Sequence, residues 1–140
     1  MDDPLIIEKT EKTPEVIFDK DNSVFQITGR SILENPHEFY LPLLNWFEEY
    51  VEVPNTETDL VLNFEYINSS STLQIMKIIF LFEKYDKPEH KLKITWLYEK
   101  KDEMSKERGE EMQESAKLNF FLKGYIDESG ENYEDFSFDI

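Results

Sequence analysis

One segment decides the fold of this chain: residues 59–85 read DLVLNFEYINSSSTLQIMKIIFLFEKY. Apolar side chains alternate with others along its first part, at Leu60, Leu62, Phe64 and Tyr66. This alternation predicts a strand over residues 59–67 with one strongly apolar face. After a polar corner, apolar residues recur at helical spacing from about Thr72 to Tyr85, which predicts a helix. A strand that leads directly into a helix favours a β-α-β unit and hence an α/β fold.

The segments on either side extend this unit in both directions. Residues 15–19 and 24–28 are short apolar runs separated by turn residues, which predicts a hairpin. Residues 91–99 alternate in the same way as the central strand and predict another strand. Residues 118–126 predict the last strand of the sheet.

Two more helices are predicted between these strands. Residues 35–38, NPHE, form a helix start in which Asn35 is the N-cap and Pro36 the first helical residue. Apolar residues follow on one helix face: Phe39, Leu43, Phe47 and Tyr50. Pro42 lies inside this stripe, so we expect a kink or a separate first turn. Residues 101–116 predict a surface helix of poor amphipathicity, interrupted by Gly109.

The predicted element order is therefore ββαβαβαβ in a single domain. Repeated β-α-β units favour a mixed sheet with parallel strands inside and the N-terminal hairpin at one side. We expect the folded domain over residues 13–126, preceded by an N-terminal extension of residues 1–12. Residues 127–140 predict an acidic, solvated tail, and their three aromatic side chains leave an edge strand or docking segment as the alternative.

Composition narrows the classes of function. The 140 residues carry a formal net charge of −16, which repels phosphodiester backbones and anionic lipid headgroups. We therefore expect neither a nucleic-acid partner nor a membrane partner. The chain has no cysteine, which excludes disulfides and thiolate zinc sites. No signal peptide or membrane-spanning apolar run is visible, so we expect a cytoplasmic protein.

Motifs for catalysis are weak in this sequence. His37 lies at a helix start and His90 in a loop, and neither belongs to a recognisable motif. The four glycines stand apart, so they form no phosphate-binding glycine loop. Acidic pairs such as Glu48-Glu49 are adjacent on a helix and point in different directions. We expect no enzyme activity, cofactor or metal ion, and the runner-up is a small-molecule-binding or metal-binding enzyme that uses the β-α corner.

The β-α corner at residues 66–72, YINSSST, is the most informative motif. A helix N-terminus carries unpaired N–H groups and a partial positive charge, which together favour a bound phosphate. Asn68 is also an ordinary capping residue. A cap needs only one hydroxyl, whereas the corner offers four in a row: Ser69, Ser70, Ser71 and Thr72. The pattern fits either a capped helix start or a phosphorylation site.

The helix after the corner predicts a docking surface. Five residues fall on its inward face at 100° per residue: Thr72, Ile75, Ile78, Ile79 and Phe82. A polar stripe lies opposite: Ser70, Gln74, Lys77 and Lys84. Three apolar residues lie within or beside that stripe: Leu81, Leu73 and Phe80. This surface suits a partner protein, unless a neighbouring helix covers it, and a phosphate on the corner would change its charge directly.

Several of these features in order resemble the SiaC family of STAS-like bacterial regulators, whose corner is similar to that of anti-sigma factor antagonists. The similar features are a helix start at residues 35–40 followed by WFEEY at 46–50, and the YINSSS corner. Trp96 and Tyr98, in a strand before a charged helix, add to the pattern. The resemblance covers residues 13–122 and implies a single STAS-like domain.

The resemblance implies a partner-switching protein. In the family the phosphoacceptor directly follows the corner asparagine, which maps it onto Ser69, with Asn68 shaping the corner. One family pattern has threonine where this chain has Ser69; Ser70, Ser71 and Thr72 are secondary candidates. A cognate Ser/Thr kinase would phosphorylate the corner, and a PP2C-type phosphatase would reverse the modification.

The unmodified form would bind a target protein, which in the SiaC-like branch is a diguanylate cyclase. The predicted partner-binding residues lie on the helix after the corner: Ser70, Leu73, Gln74, Lys77, Phe80, Leu81 and Lys84. A constitutive acidic adaptor, binding through its tail without a switch, is the other alternative.

Overall fold

Residues 3–126 are described by the computed structural model and form six strands and three helices. In chain order these are β1 (Leu5–Ile7), β2 (Glu15–Asp19), β3 (Val24–Ser31), α1 (His37–Tyr50), β4 (Glu57–Ile67), α2 (Ser69–Tyr85), β5 (Lys91–Glu99), α3 (Glu103–Ser115) and β6 (Asn119–Tyr125). The strands form one sheet in the order β1-β2-β3-β4-β5-β6. The first three strands pair antiparallel and β3 to β6 pair parallel, which confirms the predicted α/β fold with a mixed sheet.

All three helices cover one face of the sheet. Each parallel connection steps to the next strand in the same direction, and right-handed connections then place their helices on the same side. The strand burial agrees, because alternate residues of β4 are buried while those between them are partly exposed. Phe47 of α1 joins the layers: its ring centroid lies 4.4 Å from that of Phe18 in β2 and 4.9 Å from that of Phe82 in α2.

The N-terminal region contributes a strand that the sequence analysis misses. β1 lies within the expected extension of residues 1–12 and pairs antiparallel with β2, with Leu5 opposite Phe18 and Ile7 opposite Val16. Three residues are too few for an alternation signal, so this strand is defined only by its pairing. The order is therefore βββαβαβαβ, and the sheet begins before residue 13. The predicted acidic tail, residues 127–140, lies outside the described residues.

The predicted start of α1 is wrong by one residue. Pro36, not Asn35, is the N-cap, and no side chain caps this helix. α1 also runs through Pro42 as one helix, where we expected a kink or a separate turn. Pro42 and Glu38, whose carbonyl loses its helical donor to the proline, are both exposed. Water can therefore satisfy that carbonyl, which reduces the cost of the missing hydrogen bond.

Gly109 lets α3 pack closely on the sheet rather than interrupting it. The residue is buried inside α3, above the indole of Trp96 in β5. A Cβ on Gly109 would lie only 2.5 Å from Trp96 Cδ1 and 2.7 Å from its Nε1. The indole is fully buried, and its Nε1 donates a hydrogen bond to the carbonyl of Ser105 at 3.0 Å. Because burial and the hydrogen bond to Ser105 both fix the Trp96 indole, only glycine fits at this contact.

We expect Gly109→Ala to lower the free energy of unfolding by about 2 kcal/mol, because overpacking outweighs the gain in helix propensity. Urea denaturation measures the change. Glu110→Ala, at an exposed position of the same helix, is the matched control and should stay within about 0.5 kcal/mol of the parent. Equal stability of the two variants would show that α3 can move away from Trp96 at no cost.

Candidate functional site

The corner between β4 and α2, residues 67–72, is shaped by Asn68. α2 begins at Ser69, three residues before the predicted start at Thr72, because Asn68 is its N-cap. Asn68 Oδ1 accepts a hydrogen bond from the Ser71 N–H at 3.0 Å, which confirms the predicted capping. Its Nδ2 donates to the Leu33 carbonyl at 3.0 Å and so ties the corner to the loop after β3.

The four hydroxyls of the corner lie in different environments. Ser71 is fully buried and hydrogen-bonded to a hydroxyl of β3. Ser70 is half-buried and donates to a backbone carbonyl at 3.0 Å, and Thr72 does the same. Ser69 is exposed, and its side chain makes no hydrogen bond to any residue from 3 to 126. Of the four candidate phosphoacceptors, Ser69 is therefore the one whose hydroxyl is open to solvent.

A buried chain of hydroxyls supports the corner from below. Ser31 Oγ donates to Ser71 Oγ at 2.8 Å and lies 2.7 Å from Tyr40 Oη. Since the Ser31 proton points to Ser71, the Tyr40 hydroxyl donates to Ser31. Burial raises the pKa of Tyr40 to about 12, with a smaller opposing effect from the hydrogen bond to Ser31. These three hydrogen-bonded hydroxyls link α1, β3 and α2, and they hold the Ser71 side chain in the protein interior.

The raised pKa of Tyr40 predicts a loss of stability at alkaline pH. A tyrosine of the unfolded chain ionises near 10, so between pH 10 and about 12 the folded state keeps a proton that the unfolded state has lost. This contribution is fully present below pH 10 and falls by up to about 2.7 kcal/mol as pH rises through 12. Urea unfolding from pH 8 to pH 11.5 should show a flatter decline for Tyr40→Phe than for the parent chain. Parallel declines would contradict the assignment.

α2 presents an exposed row of residues that begins at Ser69. Five exposed residues lie at i, i+4, i+8, i+11 and i+15 and share one helix face, here called the α2 stripe: Ser69, Leu73, Lys77, Phe80 and Lys84. Leu73 is 65% exposed and Phe80 is 53% exposed. Large apolar side chains aligned in this way on a helix surface suit contact with another protein.

The remaining predicted docking residues contribute less to this surface. Ser70, Gln74 and Leu81 are half-buried, because the Ser70 hydroxyl is held by its hydrogen bond and Leu81 packs against the core. Four residues of the predicted inward face are buried: Ile75, Ile78, Ile79 and Phe82. In the first turn, however, Ser71 rather than Thr72 is the buried residue. The exposed face of α2 is therefore the one that contains Ser69.

Arg108 of α3 contacts the corner, and the sequence analysis misses it. Its Nη1 donates to the carbonyl of Ile67 and to Thr72 Oγ1, the latter at 3.3 Å. Arg108 also lines a cavity of about 250 Å³ at the carboxyl ends of β4 and β5, together with Phe64, Tyr66, Trp96, Met104 and Ser105. No local pattern in α3 indicates this contact, because it depends on how α3 crosses the end of the sheet.

Neither histidine forms a hydrogen bond with corner residues 67–72 within the described part of the chain. His37 is exposed at the start of α1, and His90 Nδ1 lies 3.4 Å from the Asn55 carbonyl. Among residues 3–126 there is no group of three or more His, Asp or Glu side chains that could hold a metal ion. No helix in the described part of the chain has the length and apolar character needed to cross a membrane.

Comparison with known proteins assigns the family. The sequence matches the model of the SiaC family, described as SiaC family regulatory phosphoproteins, over residues 7–125. The chain belongs to the SiaC family. This confirms the resemblance inferred from the helix start, the corner and the later strand. It also places the chain among regulatory phosphoproteins.

Solved SiaC structures share the fold. The crystal structure of apo-SiaC from Pseudomonas aeruginosa has a TM-score of 0.78 at 25% sequence identity, with 86% of this chain and 98% of that chain covered. A second match is to a chain of the crystal structure of the P. aeruginosa diguanylate cyclase SiaD in complex with its activator SiaC. Its TM-score is 0.80 at 26% sequence identity, with 86% of this chain and 99% of that chain covered. An uncharacterised protein of P. aeruginosa (strain UCBPP-PA14) is 26% identical over 121 residues, which are 86% of this chain and 96% of that protein.

Proposed function

We propose that this SiaC-family chain is a phosphorylation-controlled partner-switching protein of the cytoplasm. In the unmodified form it binds a diguanylate cyclase through the α2 stripe, and phosphorylation of Ser69 by a Ser/Thr kinase releases that partner. A PP2C-type phosphatase restores the binding form. The observation that carries this proposal is the position of Ser69: the one open hydroxyl of the corner is also the first residue of the α2 stripe.

Kinase access supports Ser69 over its neighbours. A kinase must bring the acceptor hydroxyl to its catalytic base and to the γ-phosphate of ATP. Ser71 would have to leave the core and break its buried hydrogen bond to Ser31. Ser70 and Thr72 would each give up a hydrogen bond to a backbone carbonyl. Ser69 has no such bond to break within the described residues.

The local charge of the α2 stripe supports a switch by phosphate. The stripe carries Lys77 and Lys84 and no acidic residue, although the chain as a whole has a net charge of −16. A phosphate adds a charge of about −1.5 to −2 at neutral pH. It would stand one turn from Leu73, whereas Lys77 lies about 12 Å from Ser69 along the helix axis and cannot neutralise the phosphate by contact. A partner that packs on Leu73 would then have to desolvate a dianion that neither lysine of the α2 stripe contacts.

The choice of partner rests on the family. A SiaC from P. aeruginosa has been solved in complex with a diguanylate cyclase that it activates, and the fold of this chain matches one chain of that structure with a TM-score of 0.80. The two apolar side chains of the α2 stripe offer the kind of anchor that protein interfaces use. The two lysines favour an acidic surface on the cyclase.

Two measurements test the proposal. Phosphosite mapping by mass spectrometry, on protein purified from its source organism under several growth conditions, should find a condition-dependent phosphate on Ser69. Calorimetry with a diguanylate cyclase from the same organism should show binding of the unmodified chain and a change in cyclase activity. A chain without phosphate under every condition that still binds the cyclase would support a constitutive adaptor instead. Absence of binding to every such cyclase would refute the choice of partner.

A further inference from the structure

We propose that Arg108 is the residue that binds phosphorylated Ser69 and holds its phosphate between α3 and the start of α2. The inference deepens the proposed function and rests on phosphorylation of Ser69. It assigns to α3, which lies outside the docking helix, a direct part in the phosphorylated state.

The contacts of Arg108 leave most of its donors available. Both of its hydrogen bonds within residues 3–126 come from Nη1, so Nη2 and Nε donate to no protein atom in that range. Arg108 also forms no ion pair with a carboxylate of the described residues, although the chain has 31 acidic residues. A half-buried guanidinium without a carboxylate partner is unusual, because such a charge is normally paired. The side chain is thus held in place by neutral acceptors, while its three other N–H groups donate to no atom of residues 3–126.

The position of the guanidinium brings those donors within reach of Ser69. Arg108 Nη1 lies 3.3 Å from Thr72 Oγ1. Ser69 and Thr72 are three residues apart on α2 and are therefore neighbours on its surface, with about 5–6 Å between their Cβ atoms. A phosphoryl group extends beyond Ser69 Oγ across this gap. Ile67, two residues before Ser69, lines the cavity together with Arg108.

The chemistry of the pair is that of a phosphate-binding arginine. A guanidinium presents planar, parallel N–H donors that match two phosphate oxygens and form bidentate hydrogen bonds. The Ser69 and Ser70 N–H groups at the start of α2 have no backbone acceptor among the described residues and can bind the remaining oxygen. Phosphorylation would then link α3 to the corner and fix the dianion at the edge of the α2 stripe.

The titration of the phosphate tests this inference directly. Phosphoserine is installed at position 69 of the full chain by genetic-code expansion, so the test does not depend on the kinase, and the phosphate pKa is followed by ³¹P NMR. A free phosphoserine titrates near pH 6. A guanidinium favours the dianion, so we expect Arg108→Gln to raise the phosphate pKa by about 0.5–1 unit relative to the parent. Lys106→Gln, an exposed position of the same helix, removes the same charge and should change the pKa by much less.

Acidic groups near the corner affect the phosphate pKa to the same extent in the parent phosphoprotein and in its variants. Glu65 and Asp102 line the cavity beside Arg108, and Glu34 follows Leu33 in the loop that contacts the corner. Each raises the phosphate pKa by repulsion, so only the difference between variants reports on Arg108. Arg108→Lys keeps the charge without the planar fork and should give an intermediate pKa. Equal shifts for Arg108→Gln and Lys106→Gln would overturn the inference.

A second measurement does not depend on the phosphate pKa. The chain has two arginines, Arg30 and Arg108, so the Nε–H region of a ¹H–¹⁵N spectrum holds two arginine signals. Arg30 lies at the end of β3, 3.8 Å from a Glu65 oxygen, and serves as the internal control. Phosphoserine at position 69 should shift one arginine signal and leave the other in place, and loss of the shifted signal in Arg108→Lys assigns it. If neither arginine signal moves, the contact between Arg108 and the phosphate is refuted. Detection of phosphate on Ser69 in cells would still support the proposed function.

Discussion

Replacing both apolar residues of the α2 stripe with aspartate should weaken binding of the diguanylate cyclase by about 1,000-fold. Leu73 and Phe80 are 65% and 53% exposed, so the changes remove anchors without disturbing the core. Loss of an anchor side chain at an interface costs about 2 kcal/mol, and a new charge in the contact adds a desolvation cost. Two such losses correspond to about three orders of magnitude in Kd. Isothermal titration calorimetry with the unmodified chain measures the change.

A matched control separates the α2 stripe from a general effect of charge. Ile6 in β1 and Val53 after α1 are 64% and 68% exposed, and neither lies on α2. Ile6→Asp with Val53→Asp adds the same two negative charges at equally exposed positions and should leave the Kd within about threefold. Thermal unfolding should show both double variants folded. Equal losses of affinity in the two would attribute the effect to net charge, and no loss in the Leu73/Phe80 variant would remove the α2 stripe from the interface.

The central part of the fold is readable from sequence because its signals are local. Alternation at Leu60, Leu62 and Phe64 predicts β4, and helical spacing from residue 72 predicts α2, since each pattern lies within one element. The Asn68 cap is local as well, because its side chain bonds to a backbone N–H three residues ahead. The exact residue at which a helix starts is harder to predict than the helix itself. With Asn68 as the cap, α2 starts three residues earlier than predicted and Ser69 becomes its first residue.

The parts that sequence analysis misses depend on contacts between distant residues. β1 exists because three residues pair with β2, and Gly109 is buried because α3 crosses over Trp96. The hydroxyl chain that buries Ser71 joins residues up to 40 positions apart. Arg108 reaches the carbonyl of Ile67 across 41 positions. No periodicity reports such pairs, so the ranking of the four hydroxyls and the role of α3 follow only from the folded chain.

The exposed face of α2 shows the same limit in a single element. Helical periodicity correctly separates the buried face at Ile75, Ile78 and Ile79 from the outer face. It does not determine which outer residues remain accessible, because neighbouring segments cover part of that face. Ser70 is bonded to the loop after β3 and Leu81 packs on the core, while Leu73 stays exposed. The interface we propose is therefore centred on Ser69, Leu73 and Phe80, and three of the predicted docking residues contribute less to it: Ser70, Gln74 and Leu81.

Phosphoserine at position 69 should raise the Kd for the diguanylate cyclase by about 100-fold or more. The dianion stands at the end of the α2 stripe, one turn from Leu73, and packing a partner against it requires its desolvation. Ser69→Glu carries one charge instead of almost two and lacks the phosphate geometry, so a loss of about 5-fold to 10-fold is expected. Ser69→Ala should bind as the parent does and accept no phosphate from the cognate kinase.

Phosphoserine at Ser23, in the turn between β2 and β3, is the charge-matched control. It adds the same dianion to a chain that already carries a net charge of −16, at an exposed position outside α2. If repulsion by the whole surface controlled binding, both phosphoproteins would lose affinity to a similar degree and the loss would shrink in high salt. If the contact with α2 controls it, the position-23 protein keeps its affinity and the position-69 protein stays weak in high salt. Binding that is equally tight for both would separate phosphorylation from partner release and leave the corner a capped helix start.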